Sequence, residues 1–196
     1  MIISYENKIA YIGVPQTGSS FIHAHCRGVD GIFMEENHLK HAKASEAMCR
    51  GAMGYEFILF VRNHIDALKS DWALMNRKTA RGLDHLNLLT NEQWREKCLD
   101  FYHNKPSIDE FIQSKMINGK QRLFTHYIDR ECHATYLKYE NFQESCEILF
   151  GKLKLPVPDL SKRINYTKQT NLEITKETKD KIISNYREEM EMFGYL

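Results

Sequence analysis

A chain of 196 residues, 42% of them apolar, is long enough to bury a core, and its formal net charge of +1 sets up no global field toward nucleic acid or an anionic membrane. A nucleic-acid partner is therefore not expected, and any anion site must be local. No apolar run approaches the roughly 20 residues that span a bilayer, so no membrane span is expected.

Met1 to Tyr11 lacks the basic segment and long apolar core of a secretory signal. The five cysteines (Cys26, Cys49, Cys98, Cys132, Cys146) are odd in number and widely spaced, with neither a CxxC pair nor a disulfide framework. Reduced thiols in a cytoplasmic protein are the expectation.

Ile9 to Val14 is a short apolar run rich in β-formers and ended by Pro15, which predicts a buried strand. A helix is expected from Ser20 to about Arg27, with Gly28 as its stop. Gly31 to Met34 can form a second short strand, and His41 to Met53 a helix ended by Gly54. Tyr55 to Val61 is nearly continuous in apolar character, as a strand covered on both faces should be. Ile65, Leu68, Trp72 and Met75 recur at three- and four-residue steps and predict a helix over Ile65 to Arg77. Thr90 to Phe101 reads as helical within a more polar stretch, Thr79 to Asn104, that could be a lid, an acceptor wall or simple packing. Ser107 with Glu110 forms a capping-box pattern ahead of another helix. Ala134 to Tyr139 reads as a strand, Asn141 to Leu153 as a helix and Leu155 to Asn171 as loop. Thr175 caps a last helix with Ile182, Ile183, Tyr186, Met190 and Phe193 on one side. Strands alternating with helices predict one α/β domain over residues 1–196, with a mainly parallel sheet flanked by helices.

The first strand runs into Gly13–Ser20, G-V-P-Q-T-G-S-S. A helix N-terminus offers backbone N–H groups and partial positive charge to an anion. Gly18 permits close approach, and Thr17, Ser19 and Ser20 add hydroxyls. The triphosphate-binding loop G-x-x-x-x-G-K-[ST] needs a lysine where Ser19 stands. On these residues alone, a strand-to-helix turn with no ligand is the competing reading.

Phe60 to Trp72 reads F-V-R-N-H-I-D-A-L-K-S-D-W. Arg62 leaves the end of the strongest strand, and Ser70 lies about two helical turns later on roughly the same side. A guanidinium with a hydroxyl suits a second phosphate. From Arg62 to Arg81 there are five Lys or Arg against two Asp. A solvated helix face with a capping arginine is the plainer alternative.

Together, P-Q-T-G-S-S and F-V-R-N-H-x-D-x-x-x-S resemble the sulfotransferase family, in particular its small bacterial and Golgi-type carbohydrate branch. That family's loop typically reads P-K-T-G-G/S-T/S, and its second motif F-V-R-N/D-P-x-x-R-x-x-S. Tyr186 to Tyr195, Y-x-x-x-x-x-x-F-G-Y, is similar to the family's terminal helix. The resemblance implies a P-loop-like nucleotide-binding fold and 3′-phosphoadenosine 5′-phosphosulfate (PAPS) as cofactor, with adenosine 3′,5′-bisphosphate (PAP) as product. It implies that Gln16, Thr17, Gly18, Ser19 and Ser20 hold the 5′-phosphosulfate, and that Arg62 and Ser70 hold the 3′-phosphate. Gln16 stands where the family has its lysine, His64 where it has proline, and Leu68 and Lys69 near its second arginine.

Transfer to a hydroxyl needs a base, and histidine suits one near neutral pH. The segment H-L-K-H-A-K-A-S-E contains Lys40, His41 and Ala44 at the spacing of a K-H-x-x-A pattern seen in the family. His41 is the expected base and His38 the runner-up, against a reading of both as a polar helix entry. Lys162, Arg163 and Lys168 lie in a basic loop that could close over the phosphates, or could simply be solvated. His23 and His25 lie two apart and face different ways, and no metal site is expected. The expected activity is sulfuryl transfer to a carbohydrate or small-molecule acceptor. A catalytically silent PAPS- or PAP-binding protein, or a small-metabolite kinase, stays open beside it.

Overall fold

The computed structural model describes residues 1–34, 41–87, 89, 91–117, 123–128, 132–161 and 172–196. The chain divides into two compact units. The first comprises Met1–Asn63, Arg122–Tyr166 and Glu188–Leu196; the second comprises His64–Gln121 and Thr167–Arg187.

The first unit is built on a five-stranded sheet of β1 (Ile2–Ser4), β2 (Ile9–Ile12), β3 (Ile32–Met34), β4 (Glu56–Val61) and β5 (Ala134–Lys138), in the order β3-β1-β2-β4-β5. β2 pairs parallel with β4, and β4 with β5, whereas β1 is antiparallel to both β2 and β3. Four of the five strands therefore run one way, and β1 alone is reversed. The sheet is mixed: the expected parallel strands are present, and β1 is an addition that the sequence reading missed. After β2 the chain crosses over β1 to reach β3, then returns to place β4 on the other side of β2. Such a reversal of direction is where an open α/β sheet leaves a crevice at its carboxyl edge.

β2 is buried along its whole length, and so is β4 from Phe57 onward, which explains their unbroken apolar character. Two helices pack on this sheet, α1 (Ser19–Cys26) and α7 (Phe142–Lys152). Their residues Phe21, Ile22, Cys26, Phe142, Cys146, Leu149 and Phe150 form one buried cluster with Tyr11, Ile58 and Phe60. The helix expected over His41 to Met53 is shorter. α2 covers only Ala44–Ala47 and passes into a wide turn, Met48–Ala52, that leaves helical geometry at Arg50 and at Gly51, where φ is +92°. Glycine can take that left-handed conformation and so ends the helix early.

The second unit is helical: α3 (His64–Thr79), α4 (Leu83–Asn87), α5 (Glu92–Asn104), α6 (Ile108–Ile117) and the first part of α8 (Lys176–Met192). The short α4 was not anticipated. Phe101 is packed inside, edge-on to Trp72 and Phe111, so at this residue the polar stretch contributes core. Ser107 and Glu110 form the expected capping box: the Ser107 amide donates to the Glu110 carboxylate at 2.8 Å, and the Glu110 amide to Ser107 Oγ at 3.3 Å. Thr175 caps α8 by accepting from the Thr178 amide at 3.2 Å. α8 is kinked at Tyr186, close to where the chain passes back into the first unit.

Candidate functional site

Three parallel strands end together in the first unit. β2 delivers the loop Gly13–Gly18, β4 delivers Arg62, and β5 delivers Tyr139 and the start of α7. Val61 is in register with Lys138, which sets Arg62 and Tyr139 on neighbouring strand ends.

The loop is held in an uncommon conformation. Gln16 has φ of +64° and Gly18 of +79°. A non-glycine residue in the left-handed region costs on the order of 1 kcal/mol, and such strain clusters at ligand sites. Thr17 is fully buried, and its hydroxyl donates to the Val14 carbonyl at 2.9 Å. That proton is committed to bracing the loop, so what Thr17 can donate to a ligand is its backbone amide. Gly18 is the N-cap of α1 and brings no side chain to its first amides. Its carbonyl already accepts from Phe21 at 2.9 Å, while no acidic residue occupies the first turn. These features leave the helix N-terminus electropositive. Ser19 is buried and Ser20 half-buried.

Beneath the loop lies an aromatic floor. Phe142 stands edge-on to Phe21, Phe60 and Tyr139, and Tyr11 edge-on to Phe60. A methyl group on Gly18 would meet Phe142 Cε2 at 2.5 Å, so only glycine fits. The Tyr11 phenol is wholly buried beside Thr17, and burial pushes its pKa far upward.

Arg62 is 7% exposed. Its Nη1 donates to the Gln16 carbonyl at 3.1 Å, and its guanidinium carbon sits 4.6 Å from the centre of the Tyr139 ring. Among the described residues no carboxylate pairs with it. Glu140, the residue after Tyr139, accepts from the Asn63 amide at 2.7 Å and from the Tyr195 hydroxyl at 2.7 Å. A guanidinium so little exposed is stabilised by an anion, so this corner can take a negatively charged ligand.

His41 hydrogen-bonds through Nδ1 to the carbonyl of Gly13, at the root of the loop. A carbonyl only accepts, so Nδ1 carries the proton, and Nε2 is the acceptor of the neutral ring. The structure thus brings His41, Gln16, Thr17, Gly18, Ser19, Ser20 and Arg62 to one sheet edge. Ser70 is half-buried on α3 in the second unit. His38, Arg163 and Lys168, with Lys162, lie outside the described residues. His23 is buried and His25 half-buried on α1, the different faces expected of residues two apart.

Sequence reasoning missed Tyr139 and Phe142, which carry Arg62 and close over Gly18. The signal available was position: K-Y-E-N-F follows a strand predicted parallel to the one that ends at Arg62, so its end belongs to the same edge. A cleft of about 350 Å3 beside these residues is lined by Glu140, Asn141, Phe142, Gln143, Glu144 and Glu147, and its three acids suit no anion. No protein-family model, no curated protein and no solved structure matches this chain.

Proposed function

We propose that this chain is a sulfotransferase of P-loop-like fold, which moves a sulfuryl group from PAPS to a hydroxyl, or an amine, of a carbohydrate or small-molecule acceptor. The observation that carries the reading is the contact between Arg62 Nη1 and the Gln16 carbonyl at 3.1 Å. It joins the two segments in which the family resemblance resides, and it leaves a buried cation with no carboxylate among the described residues. A dianionic phosphate group at a helix N-terminus matches that need.

When bound, the nucleotide supplies a sulfuryl group on a bridging oxygen and leaves as PAP. The backbone amides at the start of α1 and the Gln16 carboxamide donate to the phosphate end, where negative charge grows as the sulfuryl group departs. His41 takes the acceptor's proton on Nε2, because its Nδ1 proton is held by Gly13. Glutamine can donate a hydrogen bond but brings no charge. A second reading, a PAPS- or PAP-binding protein without turnover, is favoured by that one residue.

Calorimetric titration with PAP, with ADP as the control, tests the proposal. PAP binding that exceeds ADP binding is the expected result, and folded protein with no affinity for PAP would sink it. Sulfuryl transfer gained only in a Gln16→Lys variant would favour the silent binder.

A further inference from the structure

We propose that Tyr195 and Glu140 are positioning residues for Arg62: Tyr195 orients the Glu140 carboxylate, and Glu140 holds the peptide unit between Arg62 and Asn63, so that the guanidinium stays set for the 3′-phosphate of the nucleotide. This rests on the sulfotransferase reading, and it gives a role to the F-G-Y segment that the proposed chemistry leaves unused.

The connection is continuous and lies within the first unit. Phe193, just past α8, is buried and packs on Tyr136 of β5 with ring centres 5.0 Å apart. Lys138, at the end of the same strand, donates from Nζ to the Gly194 carbonyl at 3.4 Å and sits 4.9 Å from the centre of the Tyr195 ring. These contacts hold the Tyr195 ring where its hydroxyl donates to Glu140 Oε2 at 2.7 Å. The other oxygen, Oε1, accepts from the Asn63 amide at 2.7 Å. That amide shares one peptide plane with the Arg62 carbonyl, so the bond fixes the backbone from which the arginine side chain leaves. The side chain itself is set by the Gln16 carbonyl and the Tyr139 ring. Tyr139 and Glu140 are consecutive, so one turn after β5 steadies both the guanidinium and the backbone of Arg62. Glu140 is exposed, and without the Tyr195 hydroxyl its carboxylate gains solvent as a competing partner. A binding group is only as well placed as the contacts that support it.

Tyr195→Phe removes one hydroxyl and keeps the ring, and Glu140→Ala removes the carboxylate. Wild type and both variants are titrated with PAP and with adenosine 5′-phosphate, which differ only in the 3′-phosphate. The expected result is a fall in PAP affinity of about threefold in Tyr195→Phe, the scale of one net hydrogen bond, and a larger fall in Glu140→Ala. Adenosine 5′-phosphate should bind all three proteins alike. In an Arg62→Ala background Tyr195→Phe should cause no further fall, because residues that act through one another are not additive. A fall that adenosine 5′-phosphate matches, or that persists in full without Arg62, would overturn the inference and leave the sulfotransferase reading intact. Unchanged PAP affinity in both variants would do the same. Wild type with no affinity for PAP would remove both. Should either alanine variant fail to fold, the ratio of the two affinities in Tyr195→Phe decides alone.

Discussion

At Gly18 the backbone and the aromatic floor leave no room for a methyl group. A Gly18→Ala variant would set Cβ 2.5 Å from Phe142 Cε2 and force alanine to φ near +79°. Overpacking of this kind costs about 1–3 kcal/mol. The expected outcome is a matching drop in unfolding free energy by urea titration, together with weaker PAP binding as the loop shifts. On the proposed mechanism, His41 would act on the chemistry rather than on binding. A His41→Asn variant, whose Nδ2 takes the place of Nδ1, should still donate to the Gly13 carbonyl and bind PAP, while its transfer rate falls by about a hundredfold or more, the usual share of a general base. Equal rates in the two proteins would remove His41 from that role. Glycine and histidine at these positions were both legible beforehand, because their chemistry is distinctive. The αL geometry of Gln16 and the commitment of Thr17's proton to Val14 were not legible, since many residues tolerate such a turn when the surrounding fold imposes it.

Two carboxylates tie elements together within the first unit. Glu189, on the last turns of α8, is 2% exposed and accepts the amides of Leu123, Phe124 and Thr125 along with the Thr125 hydroxyl. Removing it strands buried donors, each worth about 1–3 kcal/mol. A Glu189→Ala variant is expected to lose about 3 kcal/mol of stability, read from denaturant unfolding. Glu56 opens β4, accepts from Thr135 of β5 at 2.6 Å, and pairs with Lys152 of α7 at 2.7 Å. Its partial burial opposes ionisation, but the bonds from Lys152 and Thr135 outweigh this and hold its pKa below 4.5. The sign follows directly: a depressed carboxylate stabilises the fold above its unfolded pKa, and this contribution disappears as pH falls through the folded value. A Glu56→Gln variant should therefore be about 1 kcal/mol less stable at pH 7, the scale of a solvent-screened pair, and should approach wild type in strong acid. Unfolding curves at pH 7 and pH 3 make the comparison. Neither tie was read from the sequence, because a lone glutamate in a helix or at a strand end looks the same whether it is solvated or nested in amides from far along the chain.

At the scale of the whole molecule, burial governs the cysteines. None of the five forms a disulfide, and Cys49 is exposed while Cys26, Cys98 and Cys146 are buried. Burial pushes the Cys26 thiol from 9.0 up to about 12, and it raises Tyr11 as well. A group whose folded pKa is raised contributes fully below its unfolded pKa and loses that contribution as pH climbs toward the folded value. Stability should therefore decline between pH 9 and about 12, and a Cys26→Ala variant should show a shallower decline. A thiol reagent at pH 8 is expected to modify Cys49 at once and the three buried thiols only on unfolding. Prompt labelling of Cys26 would contradict its packing between α1 and the sheet.

The order of residues along the chain is enough to set its periodic content. The buried strands at Ile9 and Phe57, the helix starts at Ser107 and Thr175 and the glycine-rich turn follow from apolar patterning, capping residues and backbone freedom, all of which act within a few residues. Tertiary structure decided what those segments do to one another. It reversed β1 between β2 and β3, because a three-residue strand has too little local signal to declare its partner. It set Tyr139 against Arg62 and Phe142 against Gly18 across more than 75 residues of chain. It also denied Arg62 a carboxylate among the described residues by turning Glu140 toward Asn63 and Tyr195. Counter-charge is a property of three-dimensional neighbours, and no count of acids and bases along a chain can show which cation has one.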